Sequence, residues 1–195
     1  MRQFQEGATM QVAMVVRDLD AAMKRHWETF KIGPWDIYTF DAAKVQNYTY
    51  RGKPATHSCL IAIAWSGDTQ LELIQPLTGY SIYDEFLEAR GEGLHHIKLY
   101  FADCQDAVVQ FARRGYPVTQ SGRFDEDEHY YLDTEKDYGY VIELGNAGKI
   151  RPAERRYPAE EESYHLPKST KGATSNRTHD PAAVHFDAAQ LRRKA

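Results

Sequence analysis

The sequence predicts an α+β fold made of two copies of one β-α-β-β-β unit, followed by an irregular C-terminal tail. Three observations carry that prediction. Strand-like and helix-like patterning succeed each other in the same order twice along the chain. Gln11, Asp18 and Ala22 of the first copy fall on His96, Asp103 and Ala107 of the second at a single offset, the mark of an internal repeat. Beyond Ile150 the large apolar side chains almost vanish, leaving Leu166, Val184, Phe186 and Leu191 among Pro, Ser, Thr and charges.

In the first copy, residues 11–16 alternate and are rich enough in β-branched side chains for a strand. Asp18 or Asp20 can cap the helix that follows, on which Met23, Trp27 and Phe30 recur at helical spacing until Gly33-Pro34 stops it. Residues 35–40, 57–65 and 69–75 read as strands, the last two joined by a tight turn at Gly67-Asp68. A linking helix over about 80–90 carries Phe86 and Leu87 on one side. In the second copy, residues 94–101 form the first strand, 107–114 the helix, and 117–123, 130–132 and 140–144 the remaining strands. The last strands share a pattern, Leu71-Glu72-Leu73 and Ile142-Glu143-Leu144.

The expected organisation is therefore one domain over residues 1–148, with modules at about 8–78 and 93–146, and a polar tail over 149–195 that is disordered or wraps a surface. The formal charge of −4 conceals a division. Residues 151–195 hold nine Lys/Arg against six Asp/Glu, net +3, so the body carries −7. An acidic body without a basic stripe argues against nucleic acid as partner, and no apolar run approaches the roughly 18 residues of a membrane span. The opening Met-Arg-Gln-Phe-Gln-Glu-Gly has no signal-peptide core. Only Cys59 and Cys104 are present, too few for a disulfide framework, which points to a reducing cytoplasm.

Gln11, Glu72, His96 and Glu143 stand out because each sits in or at the start of an apolar strand. A buried Gln or Glu without partners is costly. Any one of them alone reads as an ordinary satisfied or solvent-facing polar residue. At matching places in a repeat, the first and last strand of each copy could aim four donors into one curved sheet. One amide oxygen, one imidazole and two carboxylates suit a five- or six-coordinate divalent ion with positions open to substrate.

Gln11-Val-Ala-Met-Val-Val-Arg-Asp-Leu-Asp-Ala-Ala22, Leu71-Glu-Leu-Ile-Gln-Pro-Leu77, Val141-Ile-Glu-Leu144 and above all Gly91-Glu-Gly-Leu-His-His-Ile97 resemble the vicinal oxygen chelate superfamily, in particular its methylmalonyl-CoA epimerase branch. The resemblance covers roughly residues 8–146. It implies paired βαβββ modules cupped around a divalent metal (Co, Ni, Mn, Zn or Mg), a small-molecule substrate whose oxygens bind that metal, and a homodimer. The metal ligands it implies are Gln11, Glu72, His96 and Glu143, a set similar to that of some glyoxalase I enzymes. Strand parity agrees on His96, which alternates with Lys98 and Tyr100, and turns His95 the other way, under a helix or toward a dimer surface.

A metal that chelates a carbonyl and an adjacent oxygen acidifies the neighbouring C–H. Glu143 is the first choice for the base, Glu72 the second for return from the opposite face, and Lys98 is placed by parity to hold an enolate oxygen or a substrate carboxylate, or to act as acid/base. The leading expectation is a metal-dependent epimerase or racemase acting alpha to a carbonyl, on an aromatic ketone such as an isoflavanone or on an acyl-CoA. The alternatives are a glyoxalase I-like lyase and a non-catalytic module that sequesters ligands. A ring-opening oxygenase is disfavoured by Gln11 at the first ligand position. Epimerases of the branch carry a further acidic residue after the first helix, whereas residues 44–51 here contain none, which argues against methylmalonyl-CoA itself. Tyr48 and Tyr50 stand there instead and, with Tyr38, Tyr100, Tyr130, Tyr131 and Tyr140, are candidates for lining a pocket. His129, in Asp125-Glu-Asp-Glu-His129, is expected in a solvated hairpin loop.

Overall fold

Alternating apolar residues, interrupted by capped helices, set the order of elements in the computed structural model, which describes residues 4–159. In the first module these are β1 (Thr9–Val15), α1 (Leu19–Phe30), β2 (Trp35–Phe40), the hairpin β3 (Val45–Tyr50) and β4 (Lys53–Pro54), β5 (Ser58–Ser66) and β6 (Thr69–Thr78). The linker α2 (Ile82–Arg90) leads to β7 (Gly93–Tyr100), α3 (Cys104–Arg113), β8 (Val118–Phe124), β9 (Asp127–Leu132), the short α4 (Glu135–Tyr138), β10 (Val141–Gly145) and β11 (Arg155–Tyr157). The repeat is visible in the helix starts: Asp18 accepts from the Ala21 N–H and Asp103 from the Asp106 N–H, both at 2.9 Å.

One mixed sheet runs β11-β2-β5-β6-β1-β7-β10-β9-β8-β3-β4. Each module contributes four strands in the same order, with its last strand parallel to its first, and the modules join through antiparallel β1 and β7. On the outer face α1 packs Leu19, Ala22 and Met23 against Trp35, Ala62 and Leu73, while α3 covers Leu132 and Leu144. The inner face is different. There α2 inserts Ile82, Tyr83, Phe86 and Leu87 among Ala13, Val15, Ile74 and Val141, which share strand faces with the four candidate ligands, so α2 plugs one end of the cup.

Two features depart from the sequence reading and a third narrows it. The β3–β4 hairpin pairs with β8 of the other module, because Val45 and Tyr48 bury their side chains against Phe124. His95 lies under a helix as expected, packed by α2 beside Tyr83 and Phe86, but it does not face away from His96, because the register against β1 slips between Ala13 and Met14 and His95 is the extra residue of this bulge. Residues 149–159, the start of the tail expected to be disordered or to wrap a surface, pack against the body. Ile150 and Ala153 join the cluster around Tyr38, Val45 and Phe124, and β11 pairs with β2. Glu154 receives Lys44 at 2.7 Å and the Thr39 hydroxyl at 2.8 Å. The rest of the expected tail, residues 160–195, lies outside the described residues.

Candidate metal centre

Four strands at the middle of the sheet, β6, β1, β7 and β10, carry Glu72, Gln11, His96 and Glu143, and all four side chains are buried. The structure brings them together. Atoms of Glu72, His96 and Glu143 lie within 4.8 Å of one another. His96 Nε2 is 2.8 Å from Glu143 Oε2 and 3.4 Å from Glu72 Oε2, yet neither contact has hydrogen-bond geometry. Gln11 Oε1, Glu72 Oε2, His96 Nε2 and Glu143 Oε2 are all buried without a hydrogen-bond partner. Leaving one such atom bare costs about 1–3 kcal/mol, more when charged, so four in one place need a common partner. Octahedral ligands at about 2.1 Å from a divalent ion stand about 3–4 Å apart, the scale seen here. The residues present fit a divalent cation.

The opposite ends of these side chains are held. Gln11 Nε2 donates to Gln70 at 2.5 Å and to Glu72 Oε1 at 3.3 Å, leaving its oxygen toward the others. Glu143 Oε1 lies 3.0 Å from Lys98 Nζ, which also reaches Asp127 Oδ2 at 2.8 Å. His96 Nδ1 is 2.8 Å from His95 Nδ1, and the His95 ring also bonds the backbone of Ile82. With its Nε2–H given to that carbonyl, His95 accepts at Nδ1. A neutral His96 would then donate from its own Nδ1 and keep the Nε2 lone pair, toward the carboxylates, for a metal ion.

Electrostatics reports the same demand for positive charge. Burial acts to lower the His96 pKa, but Glu143 and Glu72 outweigh it and push it up to about 9. Burial acts to raise that of Glu143, yet Lys98 and His96 bring it down to about 2. Lys98 is pushed up by Asp127 and Glu143 against the opposing effect of its burial. Its stem leaves no room nearby, since a Cβ on Gly145 would stand 1.9 Å from Lys98 Cε.

A cavity of about 300 Å³ opens onto these residues. Gln11, Glu72, Lys98 and Glu143 line it, with Phe40, Ile61, Ile63 and Ile150 forming an apolar wall. Of the tyrosines named from the sequence only Tyr131 lines it; Tyr48 packs on His57, and Tyr50 bonds Glu85. His129 is not in a solvated loop. It is buried on β9 and lines the cavity, where burial brings its pKa down to about 3. Asp127, which the sequence reading left in the same acidic run, pairs with Lys98. The available signal was alternation: Asp127, His129 and Tyr131 share one face of a strand.

Paired βαβββ modules around a buried His, Gln and two Glu define a cupped α+β fold with a candidate metal site at its centre. The chain belongs to the Glyoxalase/Bleomycin resistance protein/Dioxygenase superfamily, whose family model matches residues 10–132. The methylmalonyl-CoA epimerase of Mycobacterium tuberculosis shares the fold at a TM-score of 0.55 and 17% identity, covering 78% of this chain and 94% of that one. A variant of the Streptomyces coelicolor methylmalonyl-CoA epimerase, in complex with 2-nitronate-propionyl-CoA, matches at 0.55 and 20%, covering 76% and 100%. In sequence, the chain is 42% identical over 50 residues to the uncharacterized protein YqjC of Bacillus subtilis (strain 168), a match spanning 26% of this chain and 35% of that protein.

Proposed function

We propose that the protein is a metal-dependent isomerase, an epimerase or racemase that removes and returns a proton alpha to a carbonyl of a small organic substrate. The observation that supports this best is the set of four buried atoms without a hydrogen-bond partner, those of Gln11, Glu72 and Glu143 at the cavity wall and that of His96 behind them. Gln11, Glu72, His96 and Glu143 would hold one divalent ion, of Co, Ni, Mn, Zn or Mg. Such an ion, when bound, polarises a carbonyl and the oxygen beside it and so acidifies the intervening C–H.

The chain's own groups divide the remaining work. Glu72 and Glu143 come from opposite modules and reach the cavity from two sides, an arrangement suited to taking the proton on one face and returning it on the other. Glu72 is held by the 3.3 Å bond from Gln11 and the 3.4 Å contact with His96, whereas Glu143 is pinned by Lys98 at 3.0 Å. Lys98, engaged by two carboxylates, acts on Glu143 and sets its basicity. The apolar wall of Phe40, Ile61 and Ile63 excludes water from the exchanging proton. A module that merely sequesters ligands has no use for four buried donors. The same reading carries a homodimer in a reducing cytoplasm, in keeping with two free, buried cysteines.

The test is metal uptake followed by solvent exchange. Stripped protein offered each of the five ions should bind at least one tightly, and NMR in D2O should then show loss of the alpha proton from a ketone substrate, abolished by chelator. No tight uptake of any ion, with His96→Ala indistinguishable from the unmodified protein, would overturn the proposal.

A further inference from the structure

The charge inventory of the cavity bears on what can enter it. Among the described residues that line it, the charged ones are Glu72, Glu143, Asp127 and Lys98. Lys98 is the single cation of that set, and its ammonium already sits 2.8 Å from Asp127 and 3.0 Å from Glu143. A divalent ion held by Gln11, Glu72, His96 and Glu143 is neutralised by its two carboxylates. Lys98 and Asp127 neutralise each other. The cavity is then electroneutral, with no described cation left to receive an anion, and a carboxylate carried into such a place is penalised by lost solvation and by three neighbouring carboxylates.

Its shape agrees. The wall facing the candidate ligands is apolar, and Phe40 is backed by Phe124 in a stack with centroids 4.1 Å apart and planes 15° from parallel, so it presents a supported flat surface. The volume of about 300 Å³ is at the small end of ligand cavities. Enolate formation in a neutral site also conserves charge: the proton leaving carbon goes to a cavity carboxylate, the electron pair of the C–H bond moves to the carbonyl oxygen, and the total is unchanged.

Resting on the isomerase reading above, we infer that the substrate is an uncharged, flat and largely apolar ketone with a second oxygen near its carbonyl, in chemical class an aryl hydroxyketone or aryl alkoxyketone, and that the cup selects against acyl groups bearing a free carboxylate.

Two probes decide it, with the full chain loaded with the ion it binds best. One is the neutral 2-hydroxy-1-phenylpropan-1-one; the other is the N-acetylcysteamine thioester of methylmalonate, which carries a carboxylate. Calorimetry should show the neutral ketone binding at least tenfold tighter, and NMR in D2O should show its alpha proton exchanging faster. Trp65→Arg, at a partly exposed wall position outside the proposed ligand set, should narrow that binding gap by admitting the carboxylate. Tighter binding of the thioester to the unmodified protein, or binding of neither probe, overturns this inference. If the ketone binds more tightly but neither probe exchanges, the isomerase reading fails while the selection for neutral ligands stands.

Discussion

The two modules trace the same path, yet the residues beside their matching ligands are opposite in kind. Glu72 of the first faces Ile63 across the sheet, and Ile74 faces Ile61. At the matching places of the second, Glu143 faces Tyr131 and Gly145 faces His129. On the first strands the repeat sets Ala13 against Lys98. Size is exchanged as well as polarity: small Ala13 lies in the cluster with large Ile74, whereas long Lys98 crosses Gly145, which has no side chain to meet it. Because β1 and β7 run antiparallel, these neighbourhoods lie toward opposite ends of the cup. One end is filled by α2 and becomes core. The other keeps its polar groups and becomes the cavity. Repetition supplies the geometry of the four candidate ligands, and divergence one pleat further along each strand supplies a single open end.

If the matched ligands act as one unit, removing one from either module should have the largest effect. His96→Ala is expected to weaken divalent-ion binding, read by calorimetry, by more than the roughly 10–100-fold that losing an outer partner costs. Undiminished affinity would mean that the two halves do not share an ion. His95 is such an outer partner, whereas the matching bulge of the first module, between Thr9 and Gln11, places Met10 there instead. His95→Phe keeps the aromatic packing under α2 but cannot accept from His96 Nδ1, so affinity should fall about 10–100-fold. The nitrogen shifts of His96 should change tautomer in the same variant while the melting temperature stays close to that of the unmodified protein.

Much of this asymmetry was legible in the residues, and the exceptions share a cause. The strands of β1, β2, β6 and β10, the helix α2 and the four candidate ligands follow from local periodicity and from the repeat, both of which need only nearby residues. The β3–β4 hairpin and β11 were missed because their pairing partners, β8 and β2, are distant in the chain and nothing within Val45–Tyr50 or Arg155–Tyr157 names them. Parity failed at His95 because a bulge adds a residue without changing composition. Asp127 and His129 read as solvated because their run is charged; it is Lys98, about thirty positions earlier, that gives Asp127 a reason to be buried.

Gly145→Ala attacks the size exchange directly. Its Cβ meets Lys98 Cε, so the lysine must leave Glu143 and Asp127 or the strand must shift, at about 1–3 kcal/mol of stability measured by denaturant unfolding. Exchange activity should fall with it, because Glu143 loses the cation that holds it. If the variant is as stable and active as its parent, the close approach has no energetic content.

The smallest effect concerns polarity alone. His129 stands where the first module has Ile61, and burial holds its folded pKa at about 3, below the ordinary 6.5 of an unfolded histidine. Between these values the unfolded chain binds a proton that the folded chain refuses, so this contribution to stability is complete above about pH 6.5 and is lost as pH falls toward 3. The slope for one such group is at most about 1.4 kcal/mol per pH unit. His129→Ile, which copies the first module into the second, should therefore flatten the fall in stability between pH 6 and 4. His57, brought down to about 4 by its own burial, should keep part of the decline. A variant whose unfolding free energy keeps the full slope would show that His129 is already protonated, or hydrated, in the folded cup, and the contrast between an apolar and a polar wall would then be one of charge.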